Sequence, residues 1–310
     1  MSSEAQSAAA EFDGLRRRLC AAAYAVTGSL ADAEDVVQDA WFRWAAVDRS
    51  TIGDPTGWLV TVVSRMAIDR LRSAQHRREV HVGPWLPEPV VGPVDPADVV
   101  SEAEQVSLAF LTALERLGVD DRIVLVLRDV ADLDYAAISE LVGRSPAACR
   151  KSVERARARV TEPQRRRPVD PAMVEGLFAS LMAALAHDDL DAVTEILASD
   201  VTLVSDGGAT RRAARRAVLG PDRVARFLLG INRHRHPDDE LSVLTVNGDP
   251  GIALVRDGVL HTVLSASVDG ERGEIVAFHA VLDPPKLHRA AAALGLDSAA
   301  GPLSSDASPA

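Results

Sequence analysis

Residues 134–160 constrain the fold of this chain most strongly, because they carry two helical patterns joined by a glycine turn. Apolar residues recur at helical spacing over residues 135–142, and Gly143 can adopt the left-handed conformation that ends a helix. Ser145 followed by Pro146 is a helix cap with the residue type preferred at the first helical position. Both ends of the turn are specified locally, so the segment predicts a helix-turn-helix.

The second helix of this motif has an apolar stripe that backs a basic face. The stripe consists of Cys149, Val153, Ala156 and Val160, and the side chains that point elsewhere are Arg150, Lys151, Glu154, Arg155 and Arg157. A basic face suits a recognition helix in the major groove, although a merely solvated face is the commoner meaning of an isolated helical hairpin. Glu154 can accept a hydrogen bond from cytosine or pair with Arg150 or Lys151, and we expect the ion pair.

The distribution of charge favours DNA binding over a solvated face. The chain has 34 Lys and Arg residues against 45 Asp and Glu residues, a formal net charge of -11, yet basic residues concentrate between positions 144 and 167. Non-specific coating of nucleic acid would favour a basic chain overall. We therefore expect an oriented DNA contact that is assisted by another partner.

Composition excludes several other classes of protein. With 310 residues, of which 47% are hydrophobic, the chain can form two or three domains with buried cores. Cys20 and Cys149 are far apart and lack metal-ligand spacing, so we expect buried cysteines and predict no metal and no cofactor. No segment reads as a signal peptide or reaches the roughly 18 apolar residues of a membrane span, so the expected location is the cytoplasm.

Proline-rich segments divide the chain into domains. The patterns predict a helical domain at 1–79, a stiff linker at 80–100, a helix-turn-helix domain at 101–162, an α+β domain at 170–289 and a disordered tail at 290–310. In the α+β domain, helices are predicted at 172–187, 190–198 and 221–232, and strands at 201–205, 241–247, 252–256, 259–268 and 274–282. Asp249-Pro-Gly, Asp257-Gly and Asp269-Gly are the turn signals between the later strands. The fold class is thus two all-α domains followed by an α+β domain with a curved sheet.

Three helical segments together resemble an extracytoplasmic-function (ECF) type sigma factor of bacterial RNA polymerase. They are DAEDVVQDAWFRW at 32–44, GWLVTVVSRMAIDRLR at 57–72, and the stretch from LRDV at 127–130 through the helix-turn-helix. The resemblance implies core RNA polymerase and promoter DNA as partners. It also implies recognition of the minus-ten and minus-thirty-five promoter elements, with initiation of transcription.

The resemblance assigns roles to residues of each segment. The helix at 32–44 is expected to bind polymerase through one polar face, and its expected contacts are Asp35, Gln38, Asp39 and Arg43. The loop at 49–57 is expected to hold a base flipped from the downstream element, and the following helix to contact the strands. The downstream candidates are Arg49, Asp54, Arg65, Arg70 and Arg72; the upstream candidates are Arg144, Ser145, Arg150, Lys151 and Arg155.

The α+β domain resembles SnoaL-like domains, which share the cone fold of ketosteroid isomerase. Some sigma factors carry such a domain with three short signatures, which appear here as WLPEP at 85–89, DGGAT at 206–210 and DPPKL at 283–287. The second departs from the family's Asp-Gly-Gly-Gly-Lys pattern, and Arg211 or Arg212 can supply the missing charge. The resemblance implies regulation in cis through an intramolecular contact of the residues Trp85, Leu86, Pro87, Glu88, Pro89, Asp206, Gly207, Gly208, Asp283 and Lys286.

Other functions stay open for this domain. Cone folds also house enzymes, and the polar residues available for catalysis or for a small-molecule ligand are His187, Asp206, His261, His279 and Asp283. An isomerase-type enzyme with a helical DNA-binding appendage is the alternative from another class. A simple repressor-like DNA binder is a third alternative, but it leaves residues 32–44 and the loop at 49–57 unexplained, and we predict a sigma factor without catalytic activity.

Overall fold

The computed structural model describes residues 3–79, 83–92, 106–160 and 169–298. The chain folds into two compact units. The helical unit comprises Met1–Val80, Val100–Val106 and Leu111–Thr161, and the sheet unit comprises His81–Val99, Ser107–Phe110 and Glu162–Ala310. This organisation agrees with the predicted fold class of helical domains followed by a mixed α and β domain.

The first part of the helical unit is a bundle of α1 (Ser3–Thr27), α2 (Leu30–Ala46) and α3 (Pro55–Glu79), with a short 3-10 helix at Arg49–Thr51. Trp44 is fully buried, and its ring centroid lies 5.6 Å from that of Trp58. Helix α3 starts at Pro55, earlier than the predicted end of the loop at residue 57. Proline is favoured at the first position of a helix, where its missing N–H is not needed.

The second part contains α4 (Leu108–Glu115), α5 (Val119–Asp129), α6 (Tyr135–Val142) and α7 (Pro146–Arg159). The turn between α6 and α7 has the predicted chemistry: Gly143 has φ 68°, and Oγ of Ser145 accepts from the backbone N–H of Ala148 at 3.2 Å. The predicted stripe of Cys149, Val153, Ala156 and Val160 is buried. The helix-turn-helix prediction is therefore confirmed.

The sheet unit combines a mixed sheet with helices. Its helices are α8 (Pro171–Ala186), α9 (Leu190–Glu195), α10 (Pro221–Arg233) and α11 (Pro284–Ala293); its strands are β1 (Val91–Gly92), β2 (Leu197–Asp206), β3 (Val218–Leu219), β4 (Glu240–Val246), β5 (Asp249–Arg256), β6 (Val259–Asp269), β7 (Glu274–Val281) and β8 (Asp297–Ser298). The strand order is β1-β4-β5-β6-β7-β2-β3, with β8 pairing with β6. Strand β2 runs parallel to β7, and β4 to β7 form the expected antiparallel meander. Phe178, Leu181 and Leu228 of the helices pack against Phe278 and Leu203 of the sheet.

Two predictions for the helices and turns of this unit were wrong in detail. The helix predicted at 190–198 ends at Glu195, and residues 197 and 198 begin β2, because pairing with β7 outweighs their local helical pattern. The first hairpin turns at Asn247-Gly248, where both residues have positive φ, and Asp249-Pro-Gly lies in β5.

The predicted tail at 290–310 starts too early. Helix α11 runs to Ala293 and β8 lies at Asp297–Ser298, because Ala290 and Ala291 are buried and the backbone of 297–298 pairs with β6. Small residues read as a low-complexity tail can also pack closely in a helix. The remaining residues of that prediction, 299–310, lie outside the described residues. Within the described ranges, no helix has the length and hydropathy needed to span a membrane.

Candidate functional site

The first candidate surface is the exposed face of α2. Helical spacing places Val36, Val37, Ala40 and Trp44 in the core, and leaves the predicted residues Asp35, Gln38, Asp39 and Arg43 exposed together. Phe42 lies on the same side of the helix and is 60% exposed. The sequence interpretation missed Phe42. An aromatic residue on the polar helix face that carries Asp39 and Arg43 could have been predicted as a further contact for a partner.

Helix α3 carries three of the downstream candidates, and all three are exposed: Arg65, Arg70 and Arg72. Arg70 turns toward α2, where its guanidinium lies 3.4 Å from Oδ2 of Asp35 and 3.6 Å from Oδ1 of Asp32. A residue predicted to contact DNA therefore pairs with one predicted to contact polymerase. Exposed pairs of this kind contribute less than about 1 kcal/mol, so either partner is available to a macromolecule.

The loop between α2 and α3 holds the other two downstream candidates. Arg49 stacks over the ring of Trp44, with its guanidinium carbon 5.8 Å from the ring centroid, and Asp54 is exposed just before α3. Oδ1 of Asp48 accepts from the backbone N–H of Ser50 at 3.1 Å and from its hydroxyl at 2.7 Å. These hydrogen bonds join residues of the same loop, so the loop's own residues fix its shape.

The upstream candidates lie on α7 or just before it, and several of them already contact other side chains of the helical unit. Arg155 donates to Oδ1 of Asp121 and to Oγ of Ser152, both at 3.1 Å. The guanidinium carbon of Arg150 lies 5.1 Å from the centroid of the Tyr135 ring. Lys151 is exposed, and the Ser145 hydroxyl caps the helix. The predicted ion pairs of Glu154 with Arg150 or Lys151 are absent from the described residues.

An open groove of about 620 Å³ joins two upstream candidates to the start of α5. It is lined by Gly118, Val119, Asp120, Asp121, Arg144 and Arg155. The acidic residues Asp120 and Asp121 thus lie beside basic residues that were predicted to meet DNA. Because the Arg155 side chain is 53% exposed, its pair with Asp121 is weak and a phosphate can replace the carboxylate.

The two halves of the helical unit are joined by arginines that the sequence interpretation missed. Arg122 on α5 is 2% exposed, forms an ion pair with Glu115 and lies 3.5 Å from the backbone oxygen of Ala25 at the end of α1. Burial lowers the pKa of Arg122 from its ordinary value, although Glu115 opposes this. Arg18 on α1 donates to the backbone oxygen of Ala131 at 3.0 Å. In both contacts the acceptor is a backbone carbonyl oxygen. Every residue has one, so the sequence pattern does not predict which carbonyl each arginine meets.

In the sheet unit, Asp206 and Lys286 clamp the linker at Leu86, and we name the cluster of Leu86, Asp206 and Lys286 the latch. The backbone N–H of Leu86 donates to Oδ2 of Asp206 at 2.8 Å, and Nζ of Lys286 donates to the backbone oxygen of Leu86 at 2.5 Å. Nζ of Lys286 also lies 2.6 Å from Oδ2 of Asp206. The Asp206 side chain is fully buried and that of Lys286 is 10% exposed.

The remaining predicted linker residues surround this clamp. Nζ of Lys286 lies 4.0 Å from the ring centroid of Trp85, Pro87 and Pro89 are buried, and Glu88 is half-buried. Burial alone would raise the pKa of the Asp206 carboxyl, but the charge of Lys286 and hydrogen bonds from Leu86 and Gly208 hold it below its ordinary value. The latch is therefore a buried ion pair at neutral pH.

The glycines after Asp206 permit a close approach to α11. The backbone N–H of Gly208 donates to Oδ1 of Asp206 at 2.9 Å, and Gly208 has φ 57°. A Cβ atom at Gly208 would lie 2.2 Å from Oδ1 of Asp283, and one at Gly207 would lie 2.4 Å from the backbone oxygen of Arg211. Both positions therefore require glycine, and Asp283 at the start of α11 completes the set of predicted regulatory residues.

Replacing Gly208 with alanine is expected to lower the free energy of unfolding of the sheet unit by roughly 2 kcal/mol, because the new side chain meets both a positive φ and Asp283. Thermal unfolding followed by circular dichroism measures the change. The matched control is Gly230→Ala in the middle of α10, where a Cβ meets nothing within 4 Å, and which is expected to be neutral or stabilising. Equal melting temperatures for Gly208→Ala and the wild type would contradict the prediction.

A second anchor holds the linker four residues beyond the latch. Strand β1 adds to the edge of β4, with Val91 opposite Val246 and Gly92 opposite Thr245. The side chain of Asn247 accepts from the backbone N–H of Val90 at 3.0 Å, and the backbone N–H of Asn247 donates to the Val90 oxygen at 2.7 Å. Asn247 was missed because its Asn-Gly pair signals only a hairpin turn.

Among the polar residues considered for catalysis, Asp283 lies beside Asp206, because its backbone N–H donates to the Asp206 backbone oxygen at 3.1 Å. His187 is exposed at the end of α8, where Nδ1 lies 2.8 Å from the backbone oxygen of Ala183. His279 is buried on β7 opposite Ser265, and Asp206 belongs to the latch. No cluster of three or more His, Cys, Asp or Glu residues suited to a metal occurs within the described ranges.

Comparison with known proteins identifies relatives of both units. Residues 12–77 match the family model for Sigma-70 region 2, and residues 107–160 match the model for Sigma-70, region 4. The ECF RNA polymerase sigma factor SigJ of Mycobacterium tuberculosis is 43% identical over 256 residues, which cover 78% of this chain and 79% of that protein. The probable ECF RNA polymerase sigma factor SigI of the same organism is 34% identical over 279 residues, covering 88% and 92%. The crystal structure of M. tuberculosis SigJ matches with a TM-score of 0.71 and 37% identity, covering 90% of this chain and 98% of that chain.

Proposed function

Since the chain belongs to the ECF family of RNA polymerase sigma factors, we propose that its helical unit binds core polymerase through the exposed face of α2 and promoter DNA through α3 and α7. The observation that best supports this proposal is the α2 face, where charged and polar residues surround the exposed ring of Phe42. Aromatic residues are enriched in protein interfaces, and a charged rim gives orientation and a fast association rate. Such a face suits a protein partner better than solvent alone.

Replacing Phe42 with alanine is expected to weaken binding to core polymerase roughly fivefold or more, because a central aromatic side chain of an interface contributes above about 1 kcal/mol. The fold should be unaffected, since the ring is 60% exposed in the free chain. Fluorescence anisotropy of the labelled full chain, titrated with core polymerase, gives the affinity. The control is Ile231→Ala, which removes a 51% exposed side chain from α10 in the other unit. Unchanged affinity for Phe42→Ala would remove α2 from the proposed interface.

We further propose that the sheet unit inhibits the helical unit in cis by holding the linker. The linker between α3 and α4, residues 80–107, can span roughly 90 Å when fully extended at about 3.3 Å per residue. The latch and β1 fasten residues 85–92 to the sheet unit, so this stretch is withdrawn from the span. The halves of the helical unit, which must separate to reach both promoter elements, then stay together through Arg122 and Arg18.

The buried latch favours a regulatory role for the sheet unit over catalysis. The Asp206 carboxylate accepts three hydrogen bonds, one of them from Lys286. It therefore stays ionised and does not exchange protons near neutral pH. We therefore propose a transcription factor of the cytoplasm without enzymatic activity, rather than an isomerase-type enzyme. Run-off transcription with core polymerase tests the whole proposal, and failure of the full chain to initiate from any selected promoter fragment would overturn it.

A further inference from the structure

An unsatisfied buried arginine lies in the loop between β2 and β3. Arg211 is 9% exposed, and its Nε and Nη1 atoms are buried without a hydrogen-bond partner in the described part of the chain. Its backbone N–H donates to the oxygen of Gly207 at 2.9 Å, which fixes where the side chain starts. A buried guanidinium that lacks an acceptor costs several kcal/mol, so its retention calls for a ligand that supplies one.

Two further cationic or donor groups lie close to Arg211. Arg256 ends β5 opposite Val259, and His261 follows on β6, so both side chains come from the same hairpin. Burial lowers the pKa of Arg211, and the charge of Arg256 lowers it further. Burial also lowers the pKa of His261, and the charges of Arg211 and Arg256 add to that effect, whereas Asp239 and Asp257 oppose it. The three groups therefore interact electrostatically, and Arg211 and His261 each have a buried polar atom without a partner in the described residues.

The nearby carboxylates do not neutralise Arg211. Oδ1 of Asp239 accepts from Nε of Arg256 at 2.7 Å, and Oδ2 accepts from the backbone N–H of His236 at 2.9 Å, so both oxygens are engaged. Asp257 is exposed on the β5–β6 turn. Nδ1 of His261 is also buried without a partner in the described residues. The buried polar atoms of Arg211 and His261 thus lack a buried acceptor within the described residues, since Asp239 is engaged and Asp257 is exposed to solvent.

We propose that Arg211, Arg256 and His261 form a binding site for the oxyanion of a small molecule, a carboxylate or a phosphate. The guanidinium of Arg211 presents parallel N–H donors that match either oxyanion, Arg256 adds positive charge, and the imidazole supplies a further hydrogen bond. Because Arg211 is buried, the site suits a small ligand and not a nucleic acid backbone. This site is independent of promoter and polymerase binding, and its test needs neither.

The test is thermal unfolding of the full chain in inorganic phosphate, in acetate and in chloride at equal ionic strength. The melting temperature of the sheet unit is expected to rise by roughly 3–5 °C in at least one of the two oxyanions, as for a tenfold shift of the unfolding equilibrium. Arg211→Met is expected to lose this rise and to melt higher than the wild type in chloride, because it removes an unpaired buried charge. Arg211→Lys keeps a positive charge but loses the paired N–H donors of the guanidinium. Its rise in melting temperature is expected to be several-fold smaller than that of the wild type.

The matched control is Arg226→Met on α10, which removes an exposed arginine paired with Asp222 and should keep the full response. A rise in phosphate but not acetate would assign the ligand a phosphate, and the reverse a carboxylate. Absence of any oxyanion-specific rise in the wild type would overturn the site. Persistence of the rise in Arg211→Met would also overturn it, since the anion would then bind elsewhere.

Discussion

Replacing Arg150 and Arg155 together with alanine is expected to reduce run-off transcription from a promoter fragment selected by the wild-type chain by a factor of at least roughly 30. Each arginine that contacts a base edge or a phosphate contributes about 1–3 kcal/mol, so the loss of two contacts multiplies two factors of about five or more. The fold should persist, because both side chains lie off the buried stripe of α7. Circular dichroism checks the fold, and the affinity for core polymerase should stay within about twofold.

The matched control is Arg157→Ala on the same helix. Arg157 also has a carboxylate partner, since Nε donates to Asp129 at 3.2 Å, but it is not among the expected DNA contacts. Its loss therefore reports the general effect of removing one exposed, paired arginine from α7. Transcription by the Arg150 and Arg155 double variant at the level of Arg157→Ala would show that α7 does not read the upstream element.

Replacing Lys286 with methionine is expected to lower the free energy of unfolding of the sheet unit by about 3–5 kcal/mol, because it leaves Asp206 buried and unpaired. It also removes the hydrogen bond to the Leu86 oxygen and the contact with Trp85. The linker should then leave the sheet unit more often, and run-off transcription should rise several-fold at equal protein concentration. Denaturant unfolding measures the first effect and transcription with core polymerase the second.

A control of similar destabilisation separates the latch from general instability. Phe178→Ala removes a core side chain of α8 and is expected to cost about 3–5 kcal/mol without touching the linker. If Phe178→Ala raises transcription as much as Lys286→Met does, loss of stability and not release of the latch explains the result. Unchanged or reduced transcription by a folded Lys286→Met chain would contradict inhibition in cis.

The pH dependence of stability gives a further check on the latch. In the wild type the folded pKa of Asp206 lies below its unfolded value, so its contribution is present above the unfolded pKa and is lost as pH falls through the folded pKa. In Lys286→Met, burial acts without the opposing lysine charge, so the folded pKa of Asp206 is expected to lie above its wild-type value, and protonation relieves the penalty as pH falls. The difference in stability between the two chains should therefore shrink between neutral pH and about pH 4.

Local chemistry made the helix-turn-helix and the meander predictable. Gly143 and Ser145 end and begin helices through interactions with their own neighbours, and the Asp257-Gly and Asp269-Gly turn signals mark the ends of β5 and β6. The errors fall where long-range pairing decides the backbone. Residues 197 and 198 join β2 because β7 is beside them, and residues 290–298 are ordered because α11 packs and β8 pairs with β6.

The sequence by itself determined the order of helical and sheet domains, the capped turns, the exposed polar face of α2 and the family, since these depend on residues close together along the chain. Only the tertiary structure decided which groups meet. Asp206 reaches Leu86 across 120 residues, Lys286 reaches Leu86 across 200, and Arg122 reaches Ala25 across 97. In each case one partner is a backbone N–H or carbonyl, which every residue possesses. Its position, and therefore its partner, is set by the packing of the whole fold.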